Sequence, residues 1–205
     1  MFIIGLTGSI GMGKSATGRM FAARGAPVHD ADAEVHRLYA NEAVGPIGDV
    51  FPDAIVDGRV DRDRLSKLVL GDDQAIKRLE KIVHPLVQAR ETAFLDAAFA
   101  GGRRFAVAEV PLLLEVGGDA RVDAVVLASA PAAVQRERVL KRGGMSAEKF
   151  EKILARQMPD AEKRRRAHFV VDTSRGFGFA EKQVDDIMRA LAASPGAAYA
   201  RRRWG

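Results

Sequence analysis

Eight residues close to the amino terminus constrain this chain more than any other stretch. Gly8–Ser15 reads GSIGMGKS and matches the spacing G-x-x-x-x-G-K-[ST] at every fixed position. An apolar run of strand length, Phe2–Leu6, comes before it, and apolar residues at helical spacing follow Lys14. A glycine-rich turn between a strand and a helix directs successive N–H groups inward, where they bind phosphate oxygens. The stretch therefore predicts a phosphate-binding loop rather than an ordinary turn.

Two side chains at the end of this loop carry the chemistry expected of a phosphate site. Lys14 supplies a positive charge for the β- and γ-phosphates of a nucleotide, and the Ser15 hydroxyl can complete the coordination of Mg²⁺. Neighbouring glycines allow the backbone to approach the anion closely. The loop therefore predicts a nucleoside triphosphate, bound together with Mg²⁺, as its ligand.

Composition excludes several other classes of protein. The 205 residues are 47% hydrophobic and 29% charged, which is ordinary for a globular chain, and they include no cysteine. A disulfide framework and a thiolate metal site are therefore excluded, and a reducing cytoplasm is favoured. The strand-like start leaves no room for a signal peptide, and no apolar run reaches membrane-spanning length, so we expect a cytoplasmic protein that does not bind membranes. The net charge of +5 suits a polyanionic small molecule or a nucleic acid.

Five apolar segments of strand length alternate with helical patterns along the chain. They are residues 2–6, 26–30, 105–110, 123–128 and 168–172. Apolar strands separated by helices predict a parallel sheet with helices on both faces. Together with the phosphate loop, this pattern predicts a three-layer α/β P-loop NTPase fold with a five-stranded parallel sheet. Ligands are then expected at the carboxyl ends of the strands.

The spacing of these strands also predicts how the chain divides. Residues 33–100 are mostly helical and far longer than a simple crossover, so they predict a helical substrate-binding insertion, with a helix break at His84–Pro85. A basic helical stretch forms a predicted lid. The predicted parts are a nucleotide-binding core of residues 1–32, 101–130 and 167–193, the insertion 33–100, the lid 131–166 and a frayed tail 194–205.

Acidic residues follow two of the predicted strands. Asp30 and Asp32 come after the second strand, where a carboxylate could accept a hydroxyl proton or hold a hydroxyl in line with a γ-phosphate. Either of them could instead cap the next helix. Glu109, near the end of the third strand, could hold Mg²⁺ or make a local ion pair. The residue pattern does not decide between catalysis and capping for the two aspartates. Nor does it decide between Mg²⁺ binding and an ion pair for Glu109.

The predicted lid is strongly basic. Glutamates are interleaved with its lysines and arginines, so much of it is interpreted as a solvated helix face, including the run Lys163–Arg166. Phosphoryl transfer spreads negative charge over the moving group, which arginines from a lid can stabilise. The candidates for this role are Arg136, Arg142 and Arg156. An RNA-binding face is the competing use, but aromatic residues for base stacking are sparse here.

Five segments in this order resemble the dephospho-coenzyme A kinase family over nearly the whole chain. They are GLTGSIGMGKS at Gly5–Ser15, HDADAEVHRLY at His29–Tyr39, IVHPLV at Ile82–Val87, VPLLLE at Val110–Glu115 and QRERVLKRGGMSAEKFEKILARQM at Gln135–Met158. The phosphate loop alone is shared by many unrelated enzymes, whereas the ordered set is specific. One position departs from the family pattern, because Thr173 stands after the last strand where the family tends to have asparagine.

The resemblance implies a reaction and a role for each matching residue. The γ-phosphate of ATP would pass to the 3′-hydroxyl of dephospho-coenzyme A, with Mg²⁺ bound by Ser15. The ATP-binding residues would be Gly11, Met12, Gly13, Lys14, Ser15 and Ala16. The acceptor-binding residues would be Thr7, Asp32, His84, Leu112 and Glu115. Lys14, Asp32 and Arg142 would be catalytic, and Arg136, Arg142 and Arg156 would close the lid. Asp32 would act as a base or only orient the hydroxyl.

Two alternative functions stay open at this point. One is another P-loop kinase that acts on a nucleoside monophosphate or a small metabolite. The other is a phosphate-loop regulator or RNA-binding module that hydrolyses nucleotide slowly and binds RNA in a salt-sensitive way. The expected partners are ATP and dephospho-coenzyme A, without nucleic acid or membrane. We expect a monomer, and a weak oligomer is also compatible with the sequence.

Overall fold

The computed structural model describes residues 1–204 of the chain. Its strands are, in chain order, β1 Phe2–Thr7, β2 Val28–Asp30, β3 Ile55–Val56, β4 Arg59–Val60, β5 Phe105–Glu109, β6 Ala124–Ser129 and β7 Phe169–Asp172. Its helices are α1 Lys14–Ala23, α2 Ala31–Leu38, α3 Val44–Val50, α4 Arg62–Val69, α5 Asp73–Ala100, α6 Ala132–Leu140, α7 Ala147–Leu154, α8 Asp160–Arg166, α9 Phe177–Leu191 and α10 Ala198–Trp204.

One parallel sheet carries the architecture. Its strand order is β2-β5-β1-β6-β7, and the pairings of β1 with β5 and β6 are parallel, with Leu6 opposite both Glu109 and Val126. This order brings the carboxyl ends of β1 and β5 to the same edge, so the loop after β1 and Glu109 of β5 lie at neighbouring positions. The prediction of an α/β fold with a five-stranded parallel sheet is confirmed.

The central strands are buried along their whole length because both faces are covered. Every residue of β1, β5 and β6 is buried. Buried side chains of α1 and α9, such as Phe21, Val184 and Ile187, belong to the same apolar cluster as Ile4 and Val126. A strand packed on both faces has no reason to alternate apolar and polar residues, which explains the continuous runs in the sequence.

The chain separates into two compact units. One comprises residues 1–29 and the chain from Ala97 onward, and the other is Asp30–Asp96. The second unit has an apolar core of its own, which includes Leu38, Ile47, Phe51 and Leu65. A hairpin formed by β3 and β4 also belongs to this unit. The assignment of residues 33–100 as substrate-binding and of 131–166 as a lid stays a prediction.

The predicted helix break at His84–Pro85 is wrong. Helix α5 runs without interruption from Asp73 to Ala100, with Pro85 in its interior. A proline at such a position removes one backbone hydrogen bond and costs about 3 kcal/mol. Apolar side chains on both sides of it offset this cost, because Val83 is buried and Leu86 and Val87 pack against the core of the second unit.

The carboxyl-terminal segment is ordered, contrary to the expectation of a frayed tail. Helix α10 covers Ala198–Trp204, and the Asp123 carboxylate accepts hydrogen bonds from the main-chain N–H groups of Ala197 and Ala198 at 2.8 and 2.7 Å. The Tyr199 ring stacks on Phe99 with the ring centres 4.5 Å apart. These contacts supply the stability that the short helix lacks by itself. The last residue of the predicted tail, 205, lies outside the described residues.

Within the described residues, no helix combines the length and the apolar character needed to cross a membrane.

Candidate active site

The loop between β1 and α1 has the backbone geometry that phosphate binding requires. Gly11 and Gly13 have φ angles of 78° and 90°, in the left-handed region that residues with a Cβ avoid. The N–H of Met12 donates to the carbonyl of Ser9 at 3.1 Å, which closes the turn before the helix starts at Lys14. The predicted ATP-binding residues, from Gly11 to Ala16, therefore lie in one turn and the first residues of α1.

The two glycines are also required by close packing. A Cβ added to Gly11 would overlap the Val139 side chain, and one added to Gly13 would lie 3.0 Å from the Thr173 side chain. Val139 belongs to α6 and Thr173 follows β7. The loop therefore lies directly against two later parts of the chain, which fix its shape.

We expect Gly11→Ala to damage the protein more than the same change at Gly25. Both glycines have a left-handed φ, 78° and 81°, which costs an L-residue about 1–2 kcal/mol. A Cβ at Gly25 would meet no atom within 4 Å, whereas at Gly11 it would overlap Val139 and add about 1–3 kcal/mol of overpacking. Chemical denaturation should therefore give a larger loss of unfolding free energy for Gly11→Ala. Equal losses would contradict the packing argument.

A buried carboxylate organises the end of the loop. Glu109 Oε1 accepts hydrogen bonds from Lys14 Nζ and from Ser15 Oγ, each at 2.8 Å. The Glu109 side chain is 3% exposed and that of Lys14 is 11% exposed. Gly18 makes room for this arrangement, since a Cβ there would lie 2.5 Å from Glu109 Oε2. The ion pair that the sequence allowed for Glu109 is therefore present, and its partner is the lysine of the phosphate loop.

The same atoms suit a divalent cation. Mg²⁺ prefers oxygen ligands and usually takes only one or two from the protein, the others coming from water and nucleotide phosphates. Ser15 Oγ and Glu109 Oε1 are oxygen atoms that can ligate a cation, and they lie 2.8 Å apart at the phosphate loop. Among the described residues, no cluster of three or more histidine, aspartate or glutamate side chains is placed to hold a metal. These two residues therefore fit a Mg²⁺ ion that arrives with nucleotide.

The segment after β7 supports the loop from one side. The Thr173 hydroxyl donates to the carbonyl of Met12 at 2.9 Å. The Arg138 guanidinium in turn donates to the Thr173 hydroxyl and carbonyl at 2.9 and 2.6 Å. Hydrogen bonds from the side chain and main chain of Ser174 lower the pKa of Asp172, the last residue of β7. Thr173, the residue that departs from the family pattern, therefore contacts the phosphate loop through its hydroxyl.

The segment after β5 is joined to β1 and to the predicted lid. The Thr7 hydroxyl donates to the carbonyl of Pro111 at 3.0 Å. Glu115 Oε1 accepts from the main-chain N–H of Met158 at 2.9 Å and pairs with Lys163 Nζ at 2.8 Å. Leu112 is 40% exposed. The roles of Thr7, Leu112 and Glu115 in binding an acceptor stay predictions.

Most of the run Lys163–Arg166 is exposed, as expected for a solvated helix face, but Lys163 is an exception. Lys163 has no exposed surface, and its ammonium group forms an ion pair with Glu115. Arg164 donates to the carboxylate of Asp160 and to the hydroxyl of Ser129 at the end of β6, each at 2.7 Å. Periodicity could not reveal the contacts with Glu115 and Ser129, because both residues are distant in sequence.

The predicted lid arginines lie at the surface of the segment. Arg136 of α6 donates to Glu151 of α7 at 2.7 Å, with both side chains about half exposed. Arg142 and Arg156 are exposed. An exposed ion pair contributes little to stability, so Arg136 can change partner at low cost. The catalytic role of these arginines stays a prediction.

The second compact unit contains the predicted site residues Asp32 and His84. It also contains Asp30, the alternative candidate at the end of β2. Asp30 is the N-cap of α2, and its carboxylate accepts from the N–H groups of Asp32 and Ala33 at 3.0 and 3.1 Å. The capping alternative therefore applies to Asp30. Asp32 lies in the first turn of α2, and His84 is an exposed residue of α5.

Sequence reasoning missed two glutamines that contact the phosphate loop. Gln135 Nε2 donates to the carbonyl of Ile10 at 2.8 Å, and the N–H of Ile10 donates to Gln157 Oε1 at 3.1 Å. Glutamine belongs to no phosphate-loop pattern, so the only signal was their position at the two ends of the lid segment that resembles the family.

The chain has a parallel sheet, a glycine loop followed by a helix, and a lysine–serine pair at a buried carboxylate. These features define a phosphate-loop nucleotide enzyme. Within that class the chain matches the family model for dephospho-CoA kinase over residues 2–177. The chain belongs to the dephospho-CoA kinase family.

Relatives that carry the family name and a solved structure are similar to this chain over nearly its whole length. A dephospho-CoA kinase of Rhodopseudomonas palustris (strain HaA2) is 55% identical over 195 residues, which is 95% of this chain and 98% of the relative. One from Mesorhizobium japonicum is 53% identical over 196 residues, covering 96% of this chain and all of the relative. A crystal structure of a Thermus thermophilus protein is 34% identical and superposes with a TM-score of 0.83, covering 95% and 98% of the two chains.

Proposed function

We propose that this protein transfers the γ-phosphate of ATP to the 3′-hydroxyl of dephospho-coenzyme A, which gives coenzyme A and ADP in the final step of coenzyme A biosynthesis. The observation that carries this proposal is the family match over residues 2–177. It is supported by relatives of this name that are more than half identical over nearly the whole chain. This support favours dephospho-coenzyme A over the acceptors of other P-loop kinases.

The phosphate loop binds and positions the nucleotide. N–H groups from Gly11 to Ala16 would surround the phosphates, and Lys14 would neutralise charge on the β- and γ-phosphates. Glu109 holds the Lys14 ammonium group in place before nucleotide arrives. Ser15 and Glu109 would hold Mg²⁺, which supplies further charge neutralisation at the phosphates when it is bound.

The acceptor hydroxyl then attacks the γ-phosphorus. A new bond forms between the 3′-oxygen and phosphorus, and the bond from phosphorus to the β,γ-bridging oxygen breaks, so that ADP leaves with that oxygen. Asp32 would orient the hydroxyl and accept its proton. Arg136, Arg142 and Arg156 would stabilise charge on the transferred group and exclude water. Thr7, His84, Leu112 and Glu115 would line the acceptor site.

The setting of the reaction belongs to the same proposal. We place the protein in the cytoplasm as a monomer, without nucleic acid or membrane as partner. The support is the absence of cysteine from the 205 residues, the sparse aromatic residues of the basic segment and the small-molecule substrates of the family.

The direct test is ADP formation with and without acceptor. Dephospho-coenzyme A should raise the rate of ADP formation at least about a hundredfold above the rate of ATP hydrolysis alone. Coenzyme A is the matched control, because its 3′-hydroxyl already carries a phosphate, and it should give no increase. AMP tests the alternative acceptor class. A rate that rises with AMP but not with dephospho-coenzyme A would refute the proposal.

A further inference from the structure

One residue of the phosphate loop is held by side chains on both sides of its backbone. The carbonyl of Ile10 accepts a hydrogen bond from Gln135 Nε2 at 2.8 Å. The N–H of Ile10 donates to Gln157 Oε1 at 3.1 Å. Ile10 precedes Gly11, the first left-handed residue of the loop. The polar groups of this residue are therefore satisfied by two amides from elsewhere in the chain rather than by the loop itself.

The two glutamines come from different parts of the lid segment, residues 131–166. Gln135 lies in α6 and is 3% exposed, and Gln157 follows α7. The residue after Gln157 donates its N–H to Glu115 on the segment after β5. This bond fixes the backbone next to Gln157. The Gln157 side chain can therefore hold the loop in place.

Fixing the Ile10 backbone matters because the loop binds with main-chain groups. A loop that samples several turns when free must be ordered by its ligand, and this ordering lowers affinity. Both hydrogen bonds of Ile10 restrict its φ and ψ, which determine the direction of the N–H groups that follow. Without them, the loop would retain the closing bond from Met12 to Ser9 but lose both bonds to Ile10.

We infer that Gln135 and Gln157 are positioning residues that hold the phosphate loop in its nucleotide-binding shape by fixing Ile10 from two sides. The inference rests on the proposed function in that the loop binds ATP, and it is independent of the acceptor. Since the two glutamine side chains restrain the same residue, removing either hydrogen bond alone releases the restraint on the loop. The loss of affinity in the double variant should then be far smaller than the product of the single losses.

The experiment measures the affinity for AMPPNP with Mg²⁺ by titration calorimetry. Methionine has the length and unbranched shape of glutamine but neither of its hydrogen-bonding groups, so Gln157→Met and Gln135→Met remove the bonds with little change in packing. Each single variant should bind AMPPNP about fivefold more weakly than the wild type, as expected for one hydrogen bond. The double variant should be about five- to tenfold weaker rather than twenty-five-fold.

The matched control removes an amide of the same kind from the other compact unit. Asn41 Nδ2 donates to the carbonyl of Arg37 at 2.8 Å, and Asn41→Leu removes this bond with a side chain of similar size. It should leave AMPPNP affinity within twofold of the wild type. In turnover, Gln157→Met should raise the KM for ATP and leave the KM for dephospho-coenzyme A unchanged, which a general loss of stability would not do.

Two results would overturn the inference. One is AMPPNP affinity within twofold of the wild type for Gln157→Met, and the other is a double variant whose loss equals the product of the single losses. If Gln135→Met does not fold, the comparison of Gln157→Met with Asn41→Leu decides alone. A wild type that binds AMPPNP but does not phosphorylate dephospho-coenzyme A would refute the proposed function and leave this inference standing.

Discussion

Lys14→Met should lower kcat for phosphoryl transfer by about a thousandfold, the scale seen when a preorganised charge or donor at the reacting group is removed. Lys14 is the loop residue that provides full positive charge, and its ammonium group is already held 2.8 Å from Glu109 Oε1. The ammonium group is therefore at the loop before the γ-phosphate arrives. The measurement is the rate of ADP formation with saturating ATP and dephospho-coenzyme A.

A control must separate catalysis from stability, because the substitution also removes a partner from a buried carboxylate. Breaking such a pair costs about 3–5 kcal/mol of folding free energy. In the double variant Lys14→Met/Glu109→Gln, the buried group is neutral and still near the Ser15 hydroxyl. It should recover most of the lost stability and none of the activity. Recovery of both together would mean that Lys14 acts only through the fold.

Asp32→Asn should lower kcat by about a hundredfold or more, because an amide cannot accept the proton of the acceptor hydroxyl. The KM for ATP should change little, since the proposed site for the ATP phosphates is the loop of residues 8–15. The expectation rests on the position of Asp32 after β2 and on the resemblance of this segment to the family. Steady-state kinetics with ATP and dephospho-coenzyme A varied in turn would measure both quantities.

Asp30 provides a matched control two residues away. Its carboxylate caps α2 by accepting from the N–H groups of Asp32 and Ala33. Asp30→Ala should cost about 1 kcal/mol of stability through loss of the cap and should leave kcat within a few-fold. Asp32→Asn should show the opposite pattern, with stability retained and turnover lost. Turnover of Asp32→Asn within a few-fold of the wild type would show that the assigned role is wrong.

The fold was predictable because its central strands are buried on both faces and the phosphate loop has a fixed spacing. Apolar runs such as Phe105–Ala108 stand out in the sequence, and strand, loop and helix then follow in order. Helix ends were less predictable. Pro85 marked a break that does not exist, since contacts of Leu86 and Val87 outweigh one lost hydrogen bond.

The candidate site was also predictable only in part. Lys14 and Ser15 were predictable because their chemistry depends on a short local pattern, and Glu109 because it is an acidic residue near the end of an apolar strand. The residues that hold them in place from distant parts of the chain were not predictable. Thr173 lies more than 150 residues beyond Met12, yet its hydroxyl binds the Met12 carbonyl. Such contacts depend on which strands are neighbours, and one sequence gives no local sign of that.

The buried position of Lys163 gives its segment an unusual chemical property. Its amine has no exposed surface, while the arginine that follows it, Arg164, is accessible to solvent. Reagents that acylate amines, and enzymes that acetylate them, therefore reach Lys163 only when α8 moves away from Glu115. Modification of this one side chain would trap the segment in a displaced position, because a neutral amide could not replace the ion pair.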